Sequence, residues 1–305
     1  MIINVTDSYC GKCQKIHKAY IEQQGAAIIF RTICPKEEKV SQISSDANIF
    51  LALRDKTPID LSHKSQQKRY PLTNLVEITN ACNFSCPICY SDAGLAKEEF
   101  LAVDDILNLA GIIKKTGGRS ILLTGGEPTL HPDLPLIIRK LNRARLTVII
   151  STNGLKLGTE PDYARILKKS GLWGAYIQLD TFNESIHERM RKNRFIKEKV
   201  QAAQNVFSAN LRMGFNVTVT NLNIKDVGDI LKSSISWAPG LNFIFLQAAA
   251  PVGRYLLAQD TLVDREMIIK SLLNSSALNG ISIENFWPSV YFEPWGLTVH
   301  PDCYA

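Results

Sequence analysis

The chain has 305 residues, is 45% apolar and 21% charged, and carries 35 Lys and Arg against 29 Asp and Glu, a net charge of +6. These proportions exclude disorder, collagen-like repeats and coiled coil, and the length suits one large α/β domain with an appendage, or two domains. The basic excess is scattered, so it favours anionic partners only mildly and gives no reason to expect nucleic acid.

The first residues, MIINVTDSYC, have neither a basic n-region nor a long apolar h-region, so no secretory signal is expected. The longest apolar runs, 26–30 and 146–150, fall far short of the roughly 20 residues of a transmembrane helix. Residues 1–70 read as a small separate domain with its linker. They hold Cys10, Cys13 and Cys34, a β-rich stretch at 26–33, polar turns at 41–46 and a Lys/Gln/Ser-rich linker at 63–69.

From residue 71 the pattern changes. Short, β-branched apolar runs at 75–79 (LVEIT), 120–124 (SILLT), 147–151 (TVIIS), 175–179 (AYIQL), 216–220 (NVTVT) and 242–246 (NFIFL) have the character of strands covered on both faces. Between them, 104–115, 135–145, 162–170, 196–210 and 226–236 read as helices with acidic starts and glycine stops. Strand–helix alternation repeated about six times predicts βαβ units, hence a parallel sheet, open or curled into a partial barrel. This core is expected to span 71–251, followed by an extension over 252–305. The tail from 285 is aromatic and Pro-rich, expected either to pack under the barrel or to belong to a longer architecture.

Seven cysteines, six of them in two groups of three, fit a disulfide framework badly. They fit metal ligation in a reducing compartment, hence the cytoplasm. Cys82, Cys86 and Cys89 follow the first barrel strand, where parallel α/β folds place their sites. Zinc and iron–sulfur cubes both usually take four protein ligands. Three thiolates on one loop leave a position open for chemistry; a zinc knuckle with a distant fourth ligand is the alternative. Phe84, Pro87, Ile88 and Tyr90 would shield the site.

The second strand ends in Gly125-Gly126-Glu127-Pro128, where glycines admit close backbone approach to a ligand and Glu127 offers an acceptor for an ammonium. Ser151 and Asn153 close the third strand, Gln178 and Asp180 the fourth, and Asn216 and Thr218 are expected to point into the same region. Arg191 has the fork to grip a carboxylate. Each polar residue also suits ordinary turn capping, and His131 and Asp133 read as helix-entry residues.

CNFSCPIC after one strand and LLTGGEP after the next resemble the radical S-adenosylmethionine (radical SAM) superfamily, over roughly residues 75–251. The resemblance implies a partial (β/α)6, TIM-like barrel. It also implies a 4Fe–4S cluster on Cys82, Cys86 and Cys89, with S-adenosylmethionine on the open iron and reductive cleavage to a 5′-deoxyadenosyl radical. Gly125, Gly126, Glu127, Pro128, Ser151, Asn153, Gln178, Asp180 and Arg191 would hold the cofactor, and flavodoxin or ferredoxin would supply the electron.

Cys10-x-x-Cys13 followed by Cys34-Pro35 has the spacing of a zinc ribbon or rubredoxin-like knuckle, expected to hold zinc or a single iron, with His17, Glu37, Glu38 or His63 as fourth ligand. A redox-active pair is the rival, without a thioredoxin-like βαβ unit around it. This segment resembles the leader domain of the branch with tetraether lipid synthases and methylene-folate-type (class D) methylases. That branch usually has a histidine after the CP pair, where this chain has Pro35-Lys36-Glu37-Glu38. Its members are longer and bind extra clusters beyond an HPDC-like segment; Cys303 alone does not complete one. By resemblance the reaction is carbon–carbon coupling or methylation of a lipid or pterin-like small molecule. Maturation of a peptide or cofactor precursor is an alternative, and a non-catalytic metal-binding subunit is the rival class.

Overall fold

Strand β1 (Ile2–Cys10) turns at Gly11–Gln14 into β2 (Lys15–Gln24), and β3 (Ala27–Cys34) and β4 (Glu37–Ser44) complete a four-stranded antiparallel meander, β1-β2-β3-β4. The polar turns expected at 41–46 are therefore mostly strand. Val40 and Ile43 are exposed on this edge strand, so burial, the usual clue, is missing. Helix α1 (Ala47–Asp55) starts where the Asp46 carboxylate accepts the Asn48 and Ile49 amides, each at 3.1 Å. Ala47 packs with Ile21 and Ile28 of the sheet.

The computed structural model describes residues 1–55, 74–94, 96, 99–237 and 240–286, with the backbone of 291–292 and 297–298. The expected linker at 63–69, His63 and Cys303 lie outside the described residues, as does most of the aromatic tail. Two compact units result, Met1–Arg69 with Asp264–Ala305, and Tyr70–Val263.

In the second unit β5 (Asn74–Thr79) leads through a short strand β6 (Ile88–Cys89) to α2 (Val103–Lys115). Then come β7 (Ser120–Gly125), α3 (Leu134–Arg143), β8 (Thr147–Thr152), α4 (Leu155–Thr159), α5 (Tyr163–Lys169), β9 (Gly174–Gln178), α6 (Glu184–Arg191), α7 (Ile196–Ser208), β10 (Arg212–Val219), α8 (Val227–Trp237) and β11 (Leu241–Ala248). A short β12 (Arg254–Tyr255) pairs with β6, and α9 (Arg265–Leu273) returns to the first unit, where Ile269 packs on Ile49 and Leu53.

The six long strands lie in chain order, β5-β7-β8-β9-β10-β11, all parallel. Unreversed order means every crossover helix falls on one face, so the sheet curls around its other face as in a TIM-like barrel. Alternate residues Ile78, Ile121, Leu123, Val148, Ile150, Ala175, Ile177 and Phe215 form the core with the helices. Their neighbours Glu77, Thr124, Ser151, Tyr176, Gln178 and Asn216 consequently face the concave side. No helix among the described residues is long and apolar enough to cross a membrane.

Candidate cofactor site at the barrel mouth

The segment after β5 is held by its own backbone. The Thr79 hydroxyl accepts the Ala81 amide at 3.0 Å, and the Cys82 sulfur accepts the Phe84 amide at 3.4 Å. Cys82 is buried with Phe84 and Ala93, and Cys86, Cys89 and Leu155 pack against them.

The two glycines after β7 also let the chain approach itself. A Cβ at Gly125, where φ is +126°, would stand 2.1 Å from the Thr79 carbonyl oxygen, and one at Gly126 2.1 Å from that of Ala81. The close approach is to the chain itself. The Gly126 amide donates to Thr79 O and the Glu127 amide to Ala81 O, both at 2.8 Å, so the two loops are zipped together. The buried Glu127 carboxylate accepts the Thr129 amide (3.0 Å), the Thr129 hydroxyl (2.6 Å), the Thr152 hydroxyl (2.7 Å) and the Asn153 amide (2.7 Å). It joins the mouths of β7 and β8. Pro128 opens a single 3-10 turn after it, and His131, bonded to Leu101 O, braces that turn.

The other expected residues also converge, largely by bonding one another. Asn153 reaches Asn83 in the cysteine loop at 2.7 Å, and Asn216 donates to the Ser151 hydroxyl at 3.2 Å. Asp180, fully buried, receives Arg191 through Nε (2.6 Å) and Nη2 (3.1 Å), the Thr218 amide (2.8 Å) and the Gln178 amide group. Arg191 also donates to the Thr218 hydroxyl, to Ile88 O, between the second and third cysteines, and to the Cys86 sulfur. Its guanidinium therefore steadies the cysteine loop.

Two residues were missed in the sequence. Lys199, completely buried on α7, donates to Asn153 O (2.8 Å), Gln178 O (2.9 Å) and Gln178 Oε1 (2.6 Å), and lies 5.4 Å from the Phe84 ring. Burial pushes its pKa down to about 8, against the pull of Asp180. Arg254 on β12 donates to Cys86 O (2.8 Å), Ala93 O (2.8 Å) and Asp92 (3.1 Å). Gly253, at φ +62°, lets β12 close in: a Cβ there would meet Tyr90 O at 2.2 Å. The pairing of Gly253 with an arginine just past the sixth strand was the available clue.

Do these cysteines fit a cluster? Among the described residues only Cys10, Cys13 and Cys34 bring three candidate ligand atoms within 4.8 Å of one another. The sulfurs of Cys82, Cys86 and Cys89 do not all lie within that distance of one another. One tetrahedral ion with bonds of about 2.3 Å would draw them closer than that, whereas a cube takes each cysteine on a separate iron. Burial, with the charges of Glu127, Cys86 and Cys89 adding, pushes the Cys82 thiol up to about 12. To be held as a thiolate there, Cys82 needs a cation beside it. The residues fit the group.

A partial parallel barrel with a three-cysteine loop at the mouth of its first strand, cross-braced to a GGEP loop, defines the class. The sequence pattern described as the Radical SAM superfamily matches residues 76–233, and the chain belongs to that superfamily. Its members use a 4Fe–4S cluster and S-adenosylmethionine. A 7,8-dihydro-6-hydroxymethylpterin dimethyltransferase of Methanocaldococcus jannaschii is 26% identical over 93% of this chain, and a probable GTP 3′,8-cyclase of Sulfolobus acidocaldarius is 31% identical over 58% of it. The chain spans 60% and 56% of those relatives' lengths. Among solved structures, the FeFe-hydrogenase maturase HydG of Carboxydothermus hydrogenoformans superposes with a TM-score of 0.53 at 17% identity, over 75% of this chain and 54% of that one. Streptococcus suis SuiB bound to S-adenosylmethionine gives 0.52 at 15%, over 64% and 44%. These two share the fold.

In the first unit, Cys10 and Cys34 are buried and Cys13 half-buried. The Cys34 and Cys13 sulfurs are 3.6 Å apart, and the Lys36 amide donates to Cys34 at 3.4 Å. His17 Nε2 lies 2.9 Å from the Cys13 sulfur, while Glu37 pairs with Lys12 at 3.0 Å and Glu38 lies 3.7 Å from Arg31. Of the fourth ligands considered, the structure brings His17.

Proposed function

We propose that this chain reductively cleaves S-adenosylmethionine and directs the resulting radical to a C–H bond of a small molecule, in a methylation or carbon–carbon coupling. The three-cysteine loop at the mouth of β5, with Cys82 buried and Cys86 and Cys89 half-buried, carries the reading. When bound there, the cluster and S-adenosylmethionine supply a 5′-deoxyadenosyl radical able to take hydrogen from an unreactive carbon. Cys82, Cys86 and Cys89 hold the cluster. Arg191 and Arg254 fix the loop's carbonyls so that its sulfurs keep their spacing. Glu127 locks the second and third strand mouths into one wall, with Gly125, Gly126, Pro128, Ser151, Asn153, Gln178 and Asp180 shaping the cradle and keeping water out. A cytoplasmic flavodoxin or ferredoxin supplies the electron. The match with the pterin dimethyltransferase, which extends through the N-terminal unit, supports a pterin-like substrate over a lipid. Cys10, Cys13, Cys34 and His17 form a structural site for zinc or one iron.

Anaerobic reconstitution tests the main reading: reduced with dithionite, the protein should convert S-adenosylmethionine to 5′-deoxyadenosine and methionine. A fully loaded protein that forms neither refutes it.

A further inference from the structure

One row of residues crosses the whole concave face. Glu77 on β5 is in register with Thr124 on β7; Ser151 on β8 pairs with Tyr176 on β9; Tyr176 pairs with Gly214 on β10; and Gly214 pairs with Phe243 on β11. The row changes character along its length. At the β5 end it offers a carboxylate and two hydroxyls. Tyr90 leans over this end, its phenol 3.2 Å from the Thr124 hydroxyl and hydrogen-bonded to the Glu77 carboxylate.

At the β11 end it is aromatic. Gly214 leaves a gap that Phe243 fills: a Cβ at Gly214 would fall 2.0 Å from that ring. Phe243 consequently meets Tyr176 edge-on, at 4.8 Å and 89°, and Phe245 closes the corner at 4.8 Å from Phe243 and 5.4 Å from Tyr176. Phe245 remains 48% exposed, and Glu77 is exposed too. Phe245 makes no hydrogen bond through its ring, and Glu77 is bonded to the Tyr90 phenol.

A ring corner facing open space is a stacking surface, and a carboxylate on the same floor, with the Tyr90 phenol as one partner, keeps lone pairs for a fork of two N–H donors. An acyl chain would desolvate Glu77 and leave the Tyr90 phenol as its partner with no cation beside it, which is costly. We infer that this floor binds the substrate and selects a planar, nitrogen-rich heteroaromatic ring, stacked on the Tyr176–Phe243–Phe245 corner and presenting an amino-and-ring N–H edge to Glu77. The inference rests on the radical SAM reading for its reaction, but binding is measured without turnover.

The probes are 6-hydroxymethylpterin and 6-hydroxymethyllumazine, which has a carbonyl in place of the 2-amino group and so lacks the fork. Both are titrated by intrinsic pteridine fluorescence into the reconstituted full-length protein. The wild type should bind the pterin at least tenfold more tightly than the lumazine. Glu77→Gln should lose ten- to a hundredfold for the pterin, the range for one charge-assisted hydrogen-bond partner, and little for the lumazine. Phe245→Ala should weaken both probes alike. Equal affinity of the wild type for the two probes, or no pterin binding by protein that binds S-adenosylmethionine, overturns the inference, and the wild-type comparison needs no variant to fold. In the same samples, failure to form 5′-deoxyadenosine while the pterin discrimination holds would count against the radical reading instead.

Discussion

The two cysteine groups share a residue type and a count, and differ in almost everything that decides what they hold. Cys10, Cys13 and Cys34 come from two hairpin turns of an antiparallel meander and converge within 4.8 Å, with a histidine against one sulfur. Their thiols share protons unequally. The Cys13 amide and its neighbours push Cys10 down, whereas burial and the adjoining thiols push Cys13 up. Cys82, Cys86 and Cys89 come from one loop, do not all lie within that distance of one another, and are backed by arginines with donors on backbone carbonyls. Convergence suits one ion; spacing held by an external brace suits a larger object. Ligand identity alone does not distinguish them, and the scaffold behind the ligands does.

The largest expected effect is the loss of any one loop thiol. Cys82→Ala, Cys86→Ala or Cys89→Ala should each remove the iron–sulfur absorbance and nearly all the iron of the barrel unit, while metal at the first group stays. Iron and zinc analysis on reconstituted protein separates the two sites, and a variant that kept its cluster would erase the contrast. Next comes His17→Ala, expected to cut the first group's metal content to a small fraction and lower the melting temperature, with the barrel's iron intact. A small unit with little core leans on such a metal. Unchanged metal in His17→Ala would return the fourth ligand to an open question.

The brace should show a smaller effect. Arg254→Ala removes three charge-assisted hydrogen bonds to the loop and its flank. It should speed the loss of iron to a chelator about tenfold or more, with Arg254→Lys between it and the wild type. The smallest effect concerns pH. Burial, aided by the positive charge of Lys199, pushes His187 down to about 4, and its Nδ1 has no partner among the described residues. From about pH 6.5 down to 4 the unfolded chain binds a proton that the folded chain refuses, so stability should fall by about 2 kcal/mol across that window. Denaturant melts should show that slope in the wild type and its absence in His187→Gln.

The six strands and the cysteine loop were legible because they are written locally: β-branched runs bounded by turn residues, and thiols at fixed spacing. The strand ends drifted by a few residues, as at β10, which begins at Arg212 instead of 216. The bracing residues were not legible. Lys199 reads as one more lysine of a charged helix, and only the fold reveals that its ammonium sits among three acceptors. The glycines of the GGEP loop were noticed but their close approach to Thr79 and Ala81 was not, since a sequence says that something comes close without saying what. Helix α6, short and strongly polar between β9 and α7, offered no apolar period to read.

The position of Arg254 has a consequence for how the protein is made. It clasps Cys86 from 168 residues further along the chain. During synthesis the cysteine loop therefore emerges with its ligands complete and its clasp unmade, until the whole barrel has followed. Metal delivered early would meet a loose loop; metal delivered late meets a fixed one. A chain stopped after Ala248 should keep all three thiols and yet lose iron to a chelator as readily as Arg254→Ala, which would make the docking of β12 the moment at which loading becomes durable.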